Sequence, residues 1–194
     1  MKNHLVALTG LLALSLIANL VSLDIARNAR GRLALVTYTR ATARAVPGEV
    51  APPIQAKTLE GLEATIRAQD SPLPTVVYVF SPDCSYCKRN HDSMETAIKD
   101  ASTRFRFIAL SLHRQHLPEY LAKYPTSAQV LMEPSSKAIE AYALGATPTT
   151  LVLHPDGMVG NVWLGAFRGT TCLELSRLFG VQLPEVPPLV KDKT

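Results

Sequence analysis

"TVVYVFSPDCSYCKRN", residues 75–90, decides how this chain folds. Its first six residues are β-branched or aromatic, with no charge among them. That is the composition of a buried strand. Ser81 and Pro82 end the run, and Cys84 and Cys87 then stand three apart at the start of a stretch with helical spacing, residues 85–100. A CxxC pair serves as part of a metal site, as a structural disulfide or as a redox couple. Tetrahedral zinc needs four ligands, and no second CxxC exists in the chain. His113 and His116 form an H-x-x-H in a polar stretch, a weak supplement.

The placement favours redox chemistry. The first N–H groups of a helix are unpaired and carry the positive end of its dipole. They stabilise a thiolate at Cys84 and draw its pKa below the free value of about 8.5. Lys88 and Arg89 add positive charge, whereas Asp83 works against it. One helical turn on, Cys87 reaches back to Cys84. Cys84 is therefore the candidate attacking thiolate and Cys87 the candidate resolving thiol. Beyond that disulfide couple, no cofactor or metal is expected.

Working outward, strands alternate with helices. Residues 105–111 and 128–132 read as strands, and 117–124 and 135–144 as helices, with Ser135 or Ser136 as a cap. Residues 149–154 and 158–166 read as a hairpin about the H-P-D-G turn. Residues 170–180 form a last helix, closed by Gly180. Alternation of this kind predicts an α/β sheet with helices on both faces, made mixed by the final hairpin. Thr147-Pro148 precedes the hairpin's first strand, where proline is tolerated and an X-Pro bond can be cis. With the CxxC upstream, a cis bond is the expectation. It would leave the Thr147 backbone free to pair with an extended peptide, so Thr147 and Pro148 are candidate substrate-binding residues.

These residues together resemble the thioredoxin superfamily, and in particular the membrane-anchored TlpA/ResA-like thiol-disulfide oxidoreductases. "PGEVAPPIQAKTLEG", residues 47–61, looks like that group's lead-in before the first strands, "FSPDCSYCKRN" like its active site, and the T-P-T-T and P-D-G segment like its cis-proline loop. The resemblance implies a thioredoxin-like fold and dithiol exchange with cysteine-containing partner proteins. It further implies a membrane electron donor or acceptor, and a role in cytochrome c maturation or in assembling another extracytoplasmic enzyme. Three departures stand out. Asp83 occupies the place of the family's common Trp, and Tyr78 that of thioredoxin's buried acid. Ser85-Tyr86 lies between the cysteines, and Tyr86 is read as exposed and available to shape partner contact. A copper-delivery protein on the same fold is the alternative, but its usual CxxxC spacing is absent. A peroxidase would need a P-x-x-x-T-x-x-C arrangement that Cys84 lacks.

The 194-residue chain carries a formal charge of +4, unevenly spread. Residues 1–44 hold six Lys/Arg against the single acid Asp24, and the remainder holds 14 Lys/Arg against 15 Asp/Glu. The globular part thus lacks a nucleic-acid footprint. Residues 5–23 are apolar and uncharged, nineteen residues that suit a hydrocarbon core of about 30 Å better than a cleavable signal peptide. The expected organisation is a transmembrane anchor over 1–24, a basic juxtamembrane stalk helix over 25–46, a thioredoxin-like domain over 47–180 and a Pro-rich tail over 181–194. Arg27, Arg30 and Arg32 beside the anchor point that flank toward the cytoplasm by the positive-inside rule. The resemblance implies the opposite: a single-pass protein of the cytoplasmic membrane with its domain facing the periplasm or cell exterior. That orientation is adopted as the expectation. Cys172 is read as a buried, inert thiol, and His91 as a polar helix residue.

Overall fold

The structure, a computed structural model, describes residues 46–187. The anchor predicted over 1–24, the stalk predicted over 25–46 except Val46, and the last residues of the tail lie outside them. Among the described residues, no helix is long and apolar enough to cross a membrane.

Seven strands form one mixed sheet. They are β1 (Ile54–Lys57), β2 (Glu63–Ile66), β3 (Thr75–Phe80), β4 (Arg106–Ser111), β5 (Gln129–Met132), β6 (Thr149–Leu153) and β7 (Val159–Leu164), in the spatial order β2-β1-β5-β4-β3-β6-β7. β3 and β4 run parallel, as do β4 and β5, while β6 and β7 are antiparallel additions on the other side of β3. The helices are α1 (Ser85–Arg89), α2 (His91–Ala101), α3 (Leu117–Lys123), α4 (Ser136–Tyr142) and α5 (Thr170–Phe179).

Every residue of β3 is buried, which is why its sequence shows no polar face. Its side chains alternate between two cores. Val76, Tyr78 and Phe80 join Met94, Ile98, Tyr120, Leu175 and Phe179 beneath α2, α3 and α5. Val77 and Val79 join Leu110, Leu151, Ala138 and Tyr142 beneath α4. Helices therefore cover both faces, the arrangement that a fully apolar central strand requires.

Two elements differ from the sequence expectation. The lead-in segment is not all lead-in: Ile54–Lys57 within it is β1, paired with β2 in the register Ile54↔Ile66 to Lys57↔Glu63. The helix predicted over 85–100 is divided at Asn90, which stands between α1 and α2. Asn90 is fully buried there, and its Oδ1 accepts the Phe167 N–H at 3.0 Å. A tertiary hydrogen bond thus holds the side chain of the residue at the break. Residues 181–187 fold back on the domain. Leu183 and Val186 are buried, the Val186 N–H donates to the Phe167 carbonyl, and Ser93 Oγ donates to the Pro184 carbonyl at 2.6 Å.

Candidate active site

Register assembles the site. β3 ends at Phe80, and its partners there are Ser111, the last residue of β4, and, one step earlier at Val79, Thr149, the first residue of β6. The chain segments that leave β3 and β4, and the one that enters β6, therefore meet at one end of these central strands. They carry Cys84, His116 and Thr147 respectively.

Cys84 and Cys87 form a disulfide, with Cα atoms 5.2 Å apart. Cys84 is the N-cap of α1, in extended geometry, and its Sγ accepts the Cys87 backbone N–H at 3.1 Å. The same geometry offers that N–H to a thiolate at Cys84, where the bond would be charge-assisted. The two sulfurs differ in access: Cys84 is half-buried and Cys87 is fully buried. Of the two sulfurs, Cys84 is the one open to a partner.

The Thr147–Pro148 peptide is cis, and the Thr147 carbonyl oxygen lies 3.6 Å from Cys84 Sγ. The Pro148 carbonyl is taken up by the Gly165 N–H at 2.7 Å, which ties this loop to the end of β7. Tyr86 is half-buried, not exposed. Lys88 donates its backbone N–H to the Cys84 carbonyl at 3.2 Å, while its side chain lines a cleft of about 200 Å³ beside Asp83. Asp83 is exposed, and its Oδ1 lies 3.0 Å from Nδ1 of His116.

Sequence reasoning had set His116 in an H-x-x-H pair. The structure separates the two. His113 is exposed, and its carbonyl accepts Ser111 Oγ, whereas His116 turns to the cysteine loop. Tyr120 also reaches the site, and its hydroxyl donates to the Cys87 carbonyl at 3.4 Å. Burial pushes the Tyr120 pKa up to about 12, with Tyr124 beside it adding to the shift. No local signal marks Tyr120; only the packing of α3 over β3 brings it there. Asn90 did carry one, since it lies one turn after Cys87 on the same helix face.

Tyr78, in the place of thioredoxin's buried acid, lies behind the site with only 6% of its surface exposed. Burial drives its pKa up, Tyr120 adds to the rise, and nearby Asn90 opposes it. Among the described residues, neither Tyr78 Oη nor Asn90 Nδ2 has a hydrogen bond of ordinary geometry. Tyr78 therefore stays a neutral phenol where an acid would have offered a carboxylate. His91 packs its ring edge-on to Tyr124, 5.5 Å between centroids. Cys172 is buried, and its thiol lies 3.7 Å from the Leu183 carbonyl, to which it donates.

No curated protein matches the chain. Solved structures share its fold at low identity. The thioredoxin domain of a thiol-disulfide oxidoreductase from Bacteroides vulgatus is 16% identical over 69% of this chain and 97% of that one, with a TM-score of 0.57. StoA from Bacillus subtilis is 16% identical over 68% and 97%, with a TM-score of 0.52. DsbF from Mycobacterium tuberculosis is 20% identical over 65% and 92%, with a TM-score of 0.53. The family model of the thioredoxin-like domain matches residues 62–176, from β1's hairpin partner β2 into α5, with both cysteines and the cis-proline inside it. The chain belongs to the thioredoxin-like domain family.

Proposed function

We propose that this thiol-disulfide oxidoreductase works from the membrane. Residues 5–23 anchor it, its redox domain stands outside the cytoplasm, and Cys84 and Cys87 exchange electrons with cysteines of partner proteins. The observation that carries the exchange chemistry is the asymmetry of the disulfide: an accessible Cys84 at a helix start, a fully buried Cys87, and the Thr147 carbonyl 3.6 Å from the accessible sulfur. The uncharged run of residues 5–23 and the basic flank after it support the anchor.

In the reducing direction the Cys84 thiolate attacks one sulfur of a partner disulfide. A mixed disulfide forms, and the partner's other sulfur leaves as a thiolate and takes a proton. Cys87, deprotonated, then attacks Cys84 Sγ. The mixed disulfide breaks, the second partner sulfur leaves and is protonated, and the Cys84–Cys87 disulfide is restored. Two electrons and two protons pass to the partner. The oxidising direction runs these steps backwards. A membrane electron donor or acceptor resets the pair after each turn. The loop backbone at Thr147, before the cis-proline, would pair with the partner segment in extended form, with Tyr86 as a further contact. Cytochrome c maturation, or assembly of another extracytoplasmic enzyme, supplies partners of this kind.

Whole-cell labelling tests the reading. In a Cys172→Ser variant, a membrane-impermeant maleimide should label Cys84 in intact cells. Labelling without prior reduction indicates a maintained dithiol and a reductase. Labelling only after mild reduction indicates an oxidant. Labelling that appears only after lysis would place the domain in the cytoplasm and overturn the topology.

A further inference from the structure

We propose that His116 is a positioning residue for the exchange reaction: by hydrogen-bonding the Asp83 carboxylate, it keeps that charge from opposing the Cys84 thiolate. The inference rests on the reading of Cys84 as the nucleophile.

Asp83 immediately precedes Cys84, so its carboxylate is a permanent like charge beside the nascent thiolate. Left alone, it would favour the thiol. The residue that meets it comes from 33 positions away, at 3.0 Å. An imidazolium, or the neutral tautomer with its proton on Nδ1, donates to Oδ1 equally well in geometry. Either one draws charge away from Cys84.

The backbone supplies a second, independent observation. His116 has φ 59° and ψ 9°, the left-handed region, at the N-cap of α3. A side chain bearing Cβ is disfavoured there, and glycine or asparagine would sit more easily. Such a conformation persists where its surroundings over-determine it. Here it delivers the imidazole across the mouth of the cleft to the residue before the nucleophile. The other charged groups lining that cleft are Lys88 from α1 and Glu119 and Lys123 from α3. The two lysines reinforce the effect of His116, and Glu119 opposes it.

The test is the pH profile of Cys84 alkylation by iodoacetamide in the reduced full-length protein. The modified sulfur is assigned by peptide mapping. His116→Asn keeps a residue suited to the left-handed backbone and removes the imidazole. His116→Gly removes the side chain altogether at no backbone cost. Both should move the profile to higher pH and slow alkylation at pH 7 by up to about fivefold, the range open to a solvent-exposed pair. Asp83→Asn should move it to lower pH. In the Asp83→Asn background, replacing His116 should change nothing.

A shift that survives in that background would mean His116 acts through structure, and the proposal fails. It fails equally if neither single His116 variant shifts the profile. Insulin reduction by the wild-type protein with dithiothreitol, run alongside, reads the exchange activity separately. Its absence would count against the function proposed above while leaving the profiles to decide the role of His116.

Discussion

Cys84 and Cys87 are chemically identical residues made different by their surroundings. Helix geometry points the Cys87 N–H at Cys84 Sγ, and burial withdraws Cys87 from every external sulfur. Two outcomes follow at this scale. Cys87→Ser should attack partner disulfides but stall, accumulating a mixed disulfide through Cys84 that survives non-reducing gel electrophoresis. Cys84→Ser should trap nothing. Tyr78 permits a sharper statement, because its hydroxyl is buried without a well-formed hydrogen bond. A buried, unsatisfied hydroxyl costs stability, and its removal is expected to be neutral or favourable by about 1 kcal/mol. Urea unfolding of Tyr78→Phe should therefore show equal or greater stability, with insulin reduction retained. A large loss of reductase rate with the fold intact would instead give the phenol a direct part in proton handling at Cys87.

Among the elements, α4 offers the cleanest local test. Ser135 Oγ accepts the Ala138 N–H at 3.2 Å, which satisfies one of the orphan donors of the first turn. Ser135→Ala should cost about 1 kcal/mol in urea unfolding and leave dithiol exchange unchanged, since α4 packs on the sheet face away from the cysteines. That cap was legible beforehand because a serine ahead of an apolar-periodic run is a local signal. The same holds for β3, for the CxxC at the following helix start, and for the proline before β6. Each writes its structure into its own few residues. β1 and β2 were not legible, since Ile-Gln-Ala-Lys and Glu-Ala-Thr-Ile are four-residue strands of mixed polarity. Their pairing, more than their composition, makes them strands. The division of the helix at Asn90 was hidden for a related reason. Helical spacing runs unbroken through it, and the partner that holds Asn90 is Phe167, 77 residues away. His116 and Tyr120 reach the cysteines only because β4 ends level with β3, a consequence of register that no local pattern encodes.

At the scale of the whole molecule, α5 and residues 181–187 close the core that lies behind the active site. The Glu185 carboxylate accepts the Gly169 N–H at 2.7 Å, Ser176 Oγ accepts the Leu183 N–H at 3.2 Å, and Cys172 is sealed beneath. Burial pushes the Cys172 thiol above its ordinary value of 9.0, with Glu185 adding to the rise and Ser176 opposing it. The folded state thus holds this proton to higher pH than the unfolded chain does. Below pH 9 both states keep the proton, and the stabilisation is fully present. As pH rises further, the unfolded chain ionises first and gains free energy that the folded protein cannot, so stability falls. Tyr120 behaves alike but later, between 10.0 and about 12. Cys84 and Cys87 do not titrate while joined. Urea unfolding of the oxidised protein from pH 8 to 10.5 should therefore show wild type losing stability more steeply than Cys172→Ala. The gap should open above pH 9 at no more than about 1.4 kcal/mol per pH unit. Parallel curves would mean that Cys172 ionises as readily folded as unfolded, and that residues 181–187 do not seal it in solution. Maleimide should then also modify Cys172 in the native protein at the rate of an exposed thiol. With Cys172 buried as in the structure, modification should be much slower than that of an exposed thiol.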